Sequence, residues 1–298
     1  MTFTVACAQI APAKAEVEAN LDRIAEVVLQ ASSQGADLVL FPESVVSGYF
    51  LEGGVYESAI TAQELVAGLE SRLSSLTRPL DIALGFYEHD EASLYNSAAY
   101  IEFTPYRGRP AGPDAGETPA VRVHLRHVYR KFFLPTYGVF DEERFVSRGR
   151  DLGVFESRFG TLALLICEDV WHSILPTLCA VGGAQILLVP SASPARGFSG
   201  ERPENLQRYE RLLAGIAEEH GVFCVNSQLC GFEGGKGFTG GSMVFDPSGA
   251  KLVQAPICEE HLILATIDTD LVALARSQSP LLSDLESAWA DIVRIVSE

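Results

Sequence analysis

No apolar run in this 298-residue chain approaches the roughly 18 residues needed to span a bilayer, and no charged-then-apolar leader with a cleavage site opens it. These absences predict a soluble, cytoplasmic protein with no membrane partner. Basic residues are scarce: 22 Lys and Arg stand against 39 Asp and Glu, a formal charge of −17, which argues against binding nucleic acid or an anionic surface. A small molecule is the expected partner. The six cysteines (Cys7, Cys167, Cys179, Cys224, Cys230 and Cys258) include no C-x-x-C pair and no Cys/His spacing of the metal-binding kind. No metal is expected, and the thiols read as reduced, with one free for catalysis. No repeat, linker or heptad run divides residues 1–298, and 47% hydrophobic content supplies a substantial core, so the chain reads as one domain.

What is present is a series of buried strands that end in polar residues. In TLALLICEDVWHSILPTL, Thr161 to Leu178, an apolar run reaches Cys167, then Glu168 and Asp169, then an apolar-periodic helix. Cys167 is either a small core hydrophobe or a nucleophile whose thiolate is favoured by a helix N-terminus. Phe3 to Ile10 is a strand, Glu16 to Ala31 an amphipathic helix, and Leu38 to Phe41 a buried strand that breaks at Pro42 and delivers Glu43. That acid is either a surface-turn residue or a functional one, with Tyr49 and Phe50 close enough in sequence to line a pocket beside it.

Ala62 to Leu76 reads as a helix, and Asp81 to Glu88 with Leu94 to Phe103 as a hairpin. Residues 104–119, with four prolines and three glycines, read as an exposed insertion. Val121 to Tyr129 alternates as a strand, which predicts His124 and His127 on opposite faces and no shared metal site, and it ends at Arg130 and Lys131. Lys131 is open to a solvated or a functional role, and so is Glu142 within the acidic run Asp141 to Glu143. Ala184 to Val189 is a further strand, ending near Ser193; Pro203 to Glu219 is a helix and Val222 to Ser227 a strand. Six glycines between Gly231 and Gly241 are too irregular for a phosphate loop and imply close backbone packing. A hairpin from Ser242 to Gln254, a closing strand from His261 to Ile267 and a helix from Leu281 to Val296 complete the chain.

Glu43, Lys131 and Cys167 each stand where a strand gives way to a loop, and strand ends of a parallel or mixed sheet converge on one side. Together they make a coherent set: a carboxylate takes the thiol proton, and an ammonium with a backbone N–H stabilises the oxyanion. With LVLFPES around Glu43, YRKFFLPTYGVFDEERF around Lys131 and LLICEDVWH around Cys167, the sequence resembles the nitrilase superfamily of carbon–nitrogen hydrolases. The ACAQI strand, the VPSASP segment, Asn226 and GGSMVFDPSG extend the resemblance over nearly the whole chain.

The resemblance implies an α/β fold, a four-layer α-β-β-α sandwich, with no metal or cofactor and a homodimer or higher homo-oligomer. It implies Cys167 as nucleophile, Glu43 as general base, Lys131 as oxyanion stabiliser and Glu142 as a second catalytic glutamate. The CEDVWHS segment resembles amidase and glutaminase branches more than nitrilases, and the loop after Lys131 resembles the glutaminase domain of glutamine-dependent NAD synthetase. At 298 residues the chain is expected to lack the synthetase domain. Hydrolysis of a small-molecule amide through a thioester is therefore expected, with a nitrilase or N-carbamoyl amino acid hydrolase as the alternative on the same scaffold. A non-catalytic interaction subunit is the alternative of another class. Val170 and Trp171 occupy positions where carbamoyl hydrolases often carry an arginine, which points away from a carboxylate-bearing substrate. Tyr49, Phe50, Tyr137, Glu168, Trp171 and Ser193 are the candidate substrate-binding residues. His172, about 140° round a helix from Cys167, is expected at a pocket rim rather than as its base.

Overall fold

The computed structural model describes residues 1–51, 53–107, 119–199 and 202–298. Its first half runs β1 (Thr2–Gln9), α1 (Val17–Ser33), β2 (Leu38–Leu40), α2 (Val55–Ser58), α3 (Ala62–Arg72), β3 (Leu80–Asp90), β4 (Ser93–Arg107) and β5 (Pro119–Arg130). Then follow β6 (Val154–Ser157), β7 (Gly160–Leu164), α4 (Ile174–Val181), β8 (Ile186–Ser191), β9 (Phe198–Ser199), β10 (Arg202–Pro203), α5 (Glu204–His220) and β11 (Phe223–Gln228). The last part is β12 (Cys230–Glu233), β13 (Lys236–Thr239), β14 (Met243–Phe245), β15 (Lys251–Gln254), β16 (His261–Asp268), α6 (Asp270–Gln278) and α7 (Leu281–Ser297).

Two six-stranded sheets form the centre, in the orders β16-β1-β2-β3-β4-β5 and β15-β14-β11-β8-β7-β6. In the first, β1, β2 and β3 are parallel; in the second, β7, β8 and β11 are parallel. Alternation along the strands divides the core. Leu38 and Leu40 of β2 face the second sheet with Val5, Cys7 and Tyr100, whereas Val39 faces α1 and α3 with Ile24, Val28, Leu65 and Leu69. Strands covered on both sides must be apolar on both, which is why LVL reads as a continuous run. Residues of α4 and α5, Leu175, Cys179, Leu213 and Ile216 among them, pack with the second sheet and complete the four-layer α-β-β-α sandwich. Each fully buried leucine of this core contributes on the order of 2 kcal/mol. α3 starts at a reciprocal cap, Thr61 Oγ1 accepting from Glu64 N at 3.1 Å and Glu64 Oε2 from Thr61 N at 2.8 Å.

This topology sets the site. β5 is antiparallel to β4 and β4 to β3, so β5 runs with β3 and β2, and Lys131 emerges on the same edge as Glu43.

Several local expectations change. β4 continues to Arg107, into the segment expected to be loop, because its pairing with β5 continues from Phe103↔Val123 to Arg107↔Pro119; residues 108–118 lie outside the described residues. A bulge in that pair shifts the phase by one residue. Tyr100 pairs with His127 and Glu102 with His124, so the two histidines share a face instead of pointing apart. They still serve separately, His124 beside Glu102 and His127 stacked on Phe155. The glycine-rich 231–241 stretch forms the β12–β13 hairpin, and β6 and α6 are further elements beyond the sequence-based expectation.

Candidate active site

Glu43 follows β2 by three residues, Lys131 follows β5 directly, and Glu142 opens a single 3₁₀ turn from Glu142 to Arg144. All three side chains are buried, Glu43 and Lys131 to within 1% of complete. Lys131 Nζ donates to Glu43 Oε1 at 2.6 Å and to Glu142 Oε1 at 2.7 Å. Asn96 on β4 donates to Glu43 Oε1 at 2.8 Å, Ala192 N to Glu43 Oε2 at 2.8 Å, and the Tyr49 hydroxyl to Glu142 Oε1. Desolvating these charges costs several kcal/mol per ion, a cost offset only because nearly every lone pair has a donor. Burial works against the Lys131 charge, but the Glu142 and Glu43 carboxylates outweigh it and hold its pKa well above the ordinary value. The Glu142 pKa is raised as well, but here burial is the cause: with Glu43 nearby it lifts the group to about 7 despite Lys131.

Cys167 has φ +47°, a left-handed conformation unusual outside glycine, and Ser44 next to Glu43 has φ +49°. The Glu43 turn passes so close to β3 that a Cβ on Gly85 would lie 2.4 Å from Ser44 N and 2.6 Å from Glu43 Cα. Cys167 Sγ lies 3.1 Å from the Tyr209 hydroxyl on α5. The Glu43 and Lys131 charges both act on the thiol: burial and then the Glu43 charge push its pKa up, while Lys131, Tyr209 and the Ala192 N–H pull it down. The expectation of a thiolate favoured by a helix terminus is therefore corrected. Cys167 opens only a five-residue 3₁₀ turn, α4 starts at Ile174, and burial dominates.

Asp169 ties the two halves together. Its carboxylate accepts from Ile166 N (3.0 Å), Phe132 N (3.2 Å), Phe133 N (2.9 Å) and the Tyr129 hydroxyl (2.8 Å), bonding the backbone after Lys131 to the turn that carries Cys167. Burial raises its pKa to about 6 against these donors.

Beside the turn opens a cleft of about 550 Å³ lined by Tyr137, Glu168, Trp171, Arg196, Arg208 and Arg211. The Tyr137 hydroxyl donates to the Glu168 carboxylate at 2.9 Å. The Arg208 guanidinium stacks over Trp171 at 4.4 Å, and Arg196 sits 5.8 Å from the same ring with its buried Nε unpaired. Ser193 does not line this cleft; it is buried, and its hydroxyl accepts from Asn205 Nδ2 at 2.9 Å. His172 stacks on Phe133 at 3.8 Å and lines the cleft, although the helix assumed in placing it is a 3₁₀ turn that ends at Trp171. Tyr49 and Phe50 belong elsewhere: they pack with Phe140 and Phe238 and, with Glu142, line a second cavity of about 250 Å³.

Sequence reasoning brings together Glu43, Lys131 and Glu142 and places Tyr137, Glu168 and Trp171 on one wall. It misses Asn96, Asp169, Tyr209 and the arginines. Asp169 carried a signal, an acid two residues past the cysteine in an otherwise buried segment. The arginines come from the loop after β8 and from α5, outside the residues just after Cys167 on which the sequence reading relies.

Comparison with known proteins gives the family and supports the fold. Residues 4–277 match the carbon–nitrogen hydrolase family, and the chain belongs to it. It is 28% identical over 271 residues to the glutamine-dependent NAD(+) synthetase of Thermotoga maritima, covering 89% of this chain and 42% of the synthetase. The solved glutamine-dependent NAD+ synthetase of Acinetobacter baumannii superposes with a TM-score of 0.74 at 27% identity, over 91% of this chain and 47% of that one. An amidase from Nesterenkonia sp. superposes with a TM-score of 0.68 at 26% identity, over 93% and 94% of the two chains. The chain thus spans about half the length of the synthetases it resembles. Among the described residues no helix is long and apolar enough to cross a membrane.

Proposed function

We propose that this carbon–nitrogen hydrolase cleaves a small-molecule primary amide, the ω-amide of an α-amino acid such as glutamine, through a Cys167 thioester. The observation that carries the reading is the buried Lys131 bridging Glu43 and Glu142 at the strand ends beside Cys167. Because burial keeps the thiol protonated, the nucleophile must be generated during attack. Glu43 takes the Sγ proton as sulfur bonds to the carbonyl carbon; Lys131 and a backbone N–H hold the oxyanion. Glu43 then returns the proton to the leaving nitrogen, ammonia departs, and water repeats the sequence on the thioester to release the acid. Glu142 acts through Lys131, sharing its ammonium with Glu43. No step requires a cofactor.

The cleft supports an amino acid substrate because it is dipolar. Glu168, steadied by Tyr137, suits an α-ammonium, and Arg196, with an unpaired donor, suits an α-carboxylate. The glutamine-dependent relatives favour the same class. The test is ammonia release from a panel of glutamine, asparagine, simple aliphatic amides, nitriles and N-carbamoyl amino acids, with trapping of the thioester by intact-protein mass. Glutamine hydrolysis lost in Cys167→Ala is expected; turnover of nitriles or carbamoyl compounds alone, or unchanged turnover in that variant, would overturn it.

A further inference from the structure

The glycine-rich hairpin β12–β13 takes no part in the chemistry above, yet it carries a buried carboxylate aimed at the catalytic cluster's support. Glu233 is 4% exposed. Its Oε2 accepts from two consecutive backbone amides, Tyr49 N at 2.7 Å and Phe50 N at 2.9 Å. The approach is close: Gly48 has φ +83°, and a Cβ there would sit 3.0 Å from Glu233 Oε1. From the other side the Tyr87 hydroxyl donates to Tyr49 O at 2.9 Å, and Phe238 of the same hairpin packs with Tyr49. The Tyr49 backbone is thereby fixed on both sides, and its hydroxyl donates to Glu142, the second acceptor of the Lys131 ammonium. The hairpin also touches the loop after β8: Ala195 N donates to Gly237 O at 2.8 Å, three residues beyond the Ala192 amide that donates to Glu43.

We propose that Glu233 is a positioning residue for the amide hydrolysis proposed above: by clamping the Tyr49–Phe50 backbone it sets the Tyr49 hydroxyl on Glu142 and, through it, the Lys131 ammonium. A carboxylate suits this place because one oxygen satisfies two adjacent N–H donors that would otherwise be buried without partners. A hairpin that merely fills space would need no such acceptor. Glu233 touches no substrate, so its loss acts on turnover and leaves the cleft of Tyr137, Glu168 and Arg196 intact.

The test is steady-state kinetics on the favoured amide for Glu233→Ala, Glu233→Gln, Tyr49→Phe and the Glu233→Ala/Tyr49→Phe pair. Glu233→Ala should lower kcat about tenfold with KM within about twofold, and Glu233→Gln, whose amide oxygen keeps both N–H partners, should recover most of it. In the Tyr49→Phe background the Glu233→Ala loss should vanish, since both act through one hydroxyl. Wild-type kcat in Glu233→Ala, or losses that multiply in the pair, would overturn the proposal. If Glu233→Ala does not fold, Glu233→Asp replaces it: the shorter carboxylate should lose turnover that Glu233→Gln retains, and full turnover in Glu233→Asp is the contrary result. Should the wild type release no ammonia from any amide, the function falls separately. The coupling is then read from Cys167 alkylation by iodoacetamide, where Glu233→Ala should change the rate only while Tyr49 is present; identical rates with and without Glu233 sink the clamp.

Discussion

The two flanks of Cys167 are built on opposite plans. On one side Glu43, Lys131 and Glu142 lie out of water, with Lys131 and both Glu43 oxygens engaged at 2.6–2.8 Å by groups from β4, β5 and the loops after β2 and β8. On the other, Glu168, Trp171, Arg196 and Arg208 line an open cleft, and the Arg196 Nε has no partner. The first flank is nearly satisfied without a ligand, while the second keeps an unpaired donor. Bond making needs charges held rigidly in a dry place, while recognition needs groups whose partners arrive with the substrate. Sheet ends supply the former and a surface helix with loops the latter.

Variants that break this division should separate turnover from binding. The largest effect belongs to Lys131→Ala: two buried carboxylates lose their shared cation, kcat should fall at least 100-fold, about 3 kcal/mol, and thermal unfolding should shift down as well. Wild-type kcat in that variant would place the oxyanion stabiliser elsewhere. Gly85→Ala should come next. Its new Cβ meets the backbone of Ser44 and Glu43, which cannot yield as a side chain tip could, so kcat should drop by roughly ten- to a hundredfold with KM nearly constant. Retained turnover there would mean that Glu43 tolerates displacement.

The acid limb of the pH profile gives a smaller signal. Glu142, lifted to about 7 by burial, gains its proton as pH falls below that value and ceases to share the Lys131 charge, so kcat/KM should decline there, and Glu142→Gln should flatten the limb. The stability sign is the reverse of that of an ordinary salt-bridged acid. The folded protein holds this proton more tightly than the unfolded chain does, so the group's contribution is fully present below the ordinary value of 4.5 and is lost as pH rises through about 7. Least affected should be Arg208→Ala, which removes the guanidinium over Trp171: KM for the amino acid amide should rise about fivefold, roughly 1 kcal/mol, with kcat unchanged. A fall in kcat without a change in KM would erase the distinction between the flanks.

The dry flank is the one legible in the sequence. LVL before Glu43, the alternating VRVHLRHVY before Lys131 and the TLALLI run before Cys167 are strands whose burial imposes their composition, and the polar residue that ends each run stands out. Helices α1, α3 and α5 show through their periodic apolar faces for the same reason. The open flank stays hidden because Arg196 and Arg208 reach the cleft only through tertiary packing of α5 on the second sheet, which no local pattern encodes. Nor does composition show the bulge that brings His124 and His127 to one face, since a single extra residue leaves the alternation nearly intact. In β12–β13 the glycines that permit a close backbone approach mask the strand signal.

The left-handed backbone at Ser44 and Cys167 has a consequence for how this protein can change. A non-glycine residue held there costs on the order of 1–2 kcal/mol, and both lie at the ends that present the proposed base and nucleophile. Cys167→Gly would relax one of them while abolishing the thiol, so an inert descendant would start from a sturdier scaffold than its active parent. Selection for hardiness alone would therefore erode this enzyme from its centre outward, and only continuing demand for the reaction keeps the tension in place.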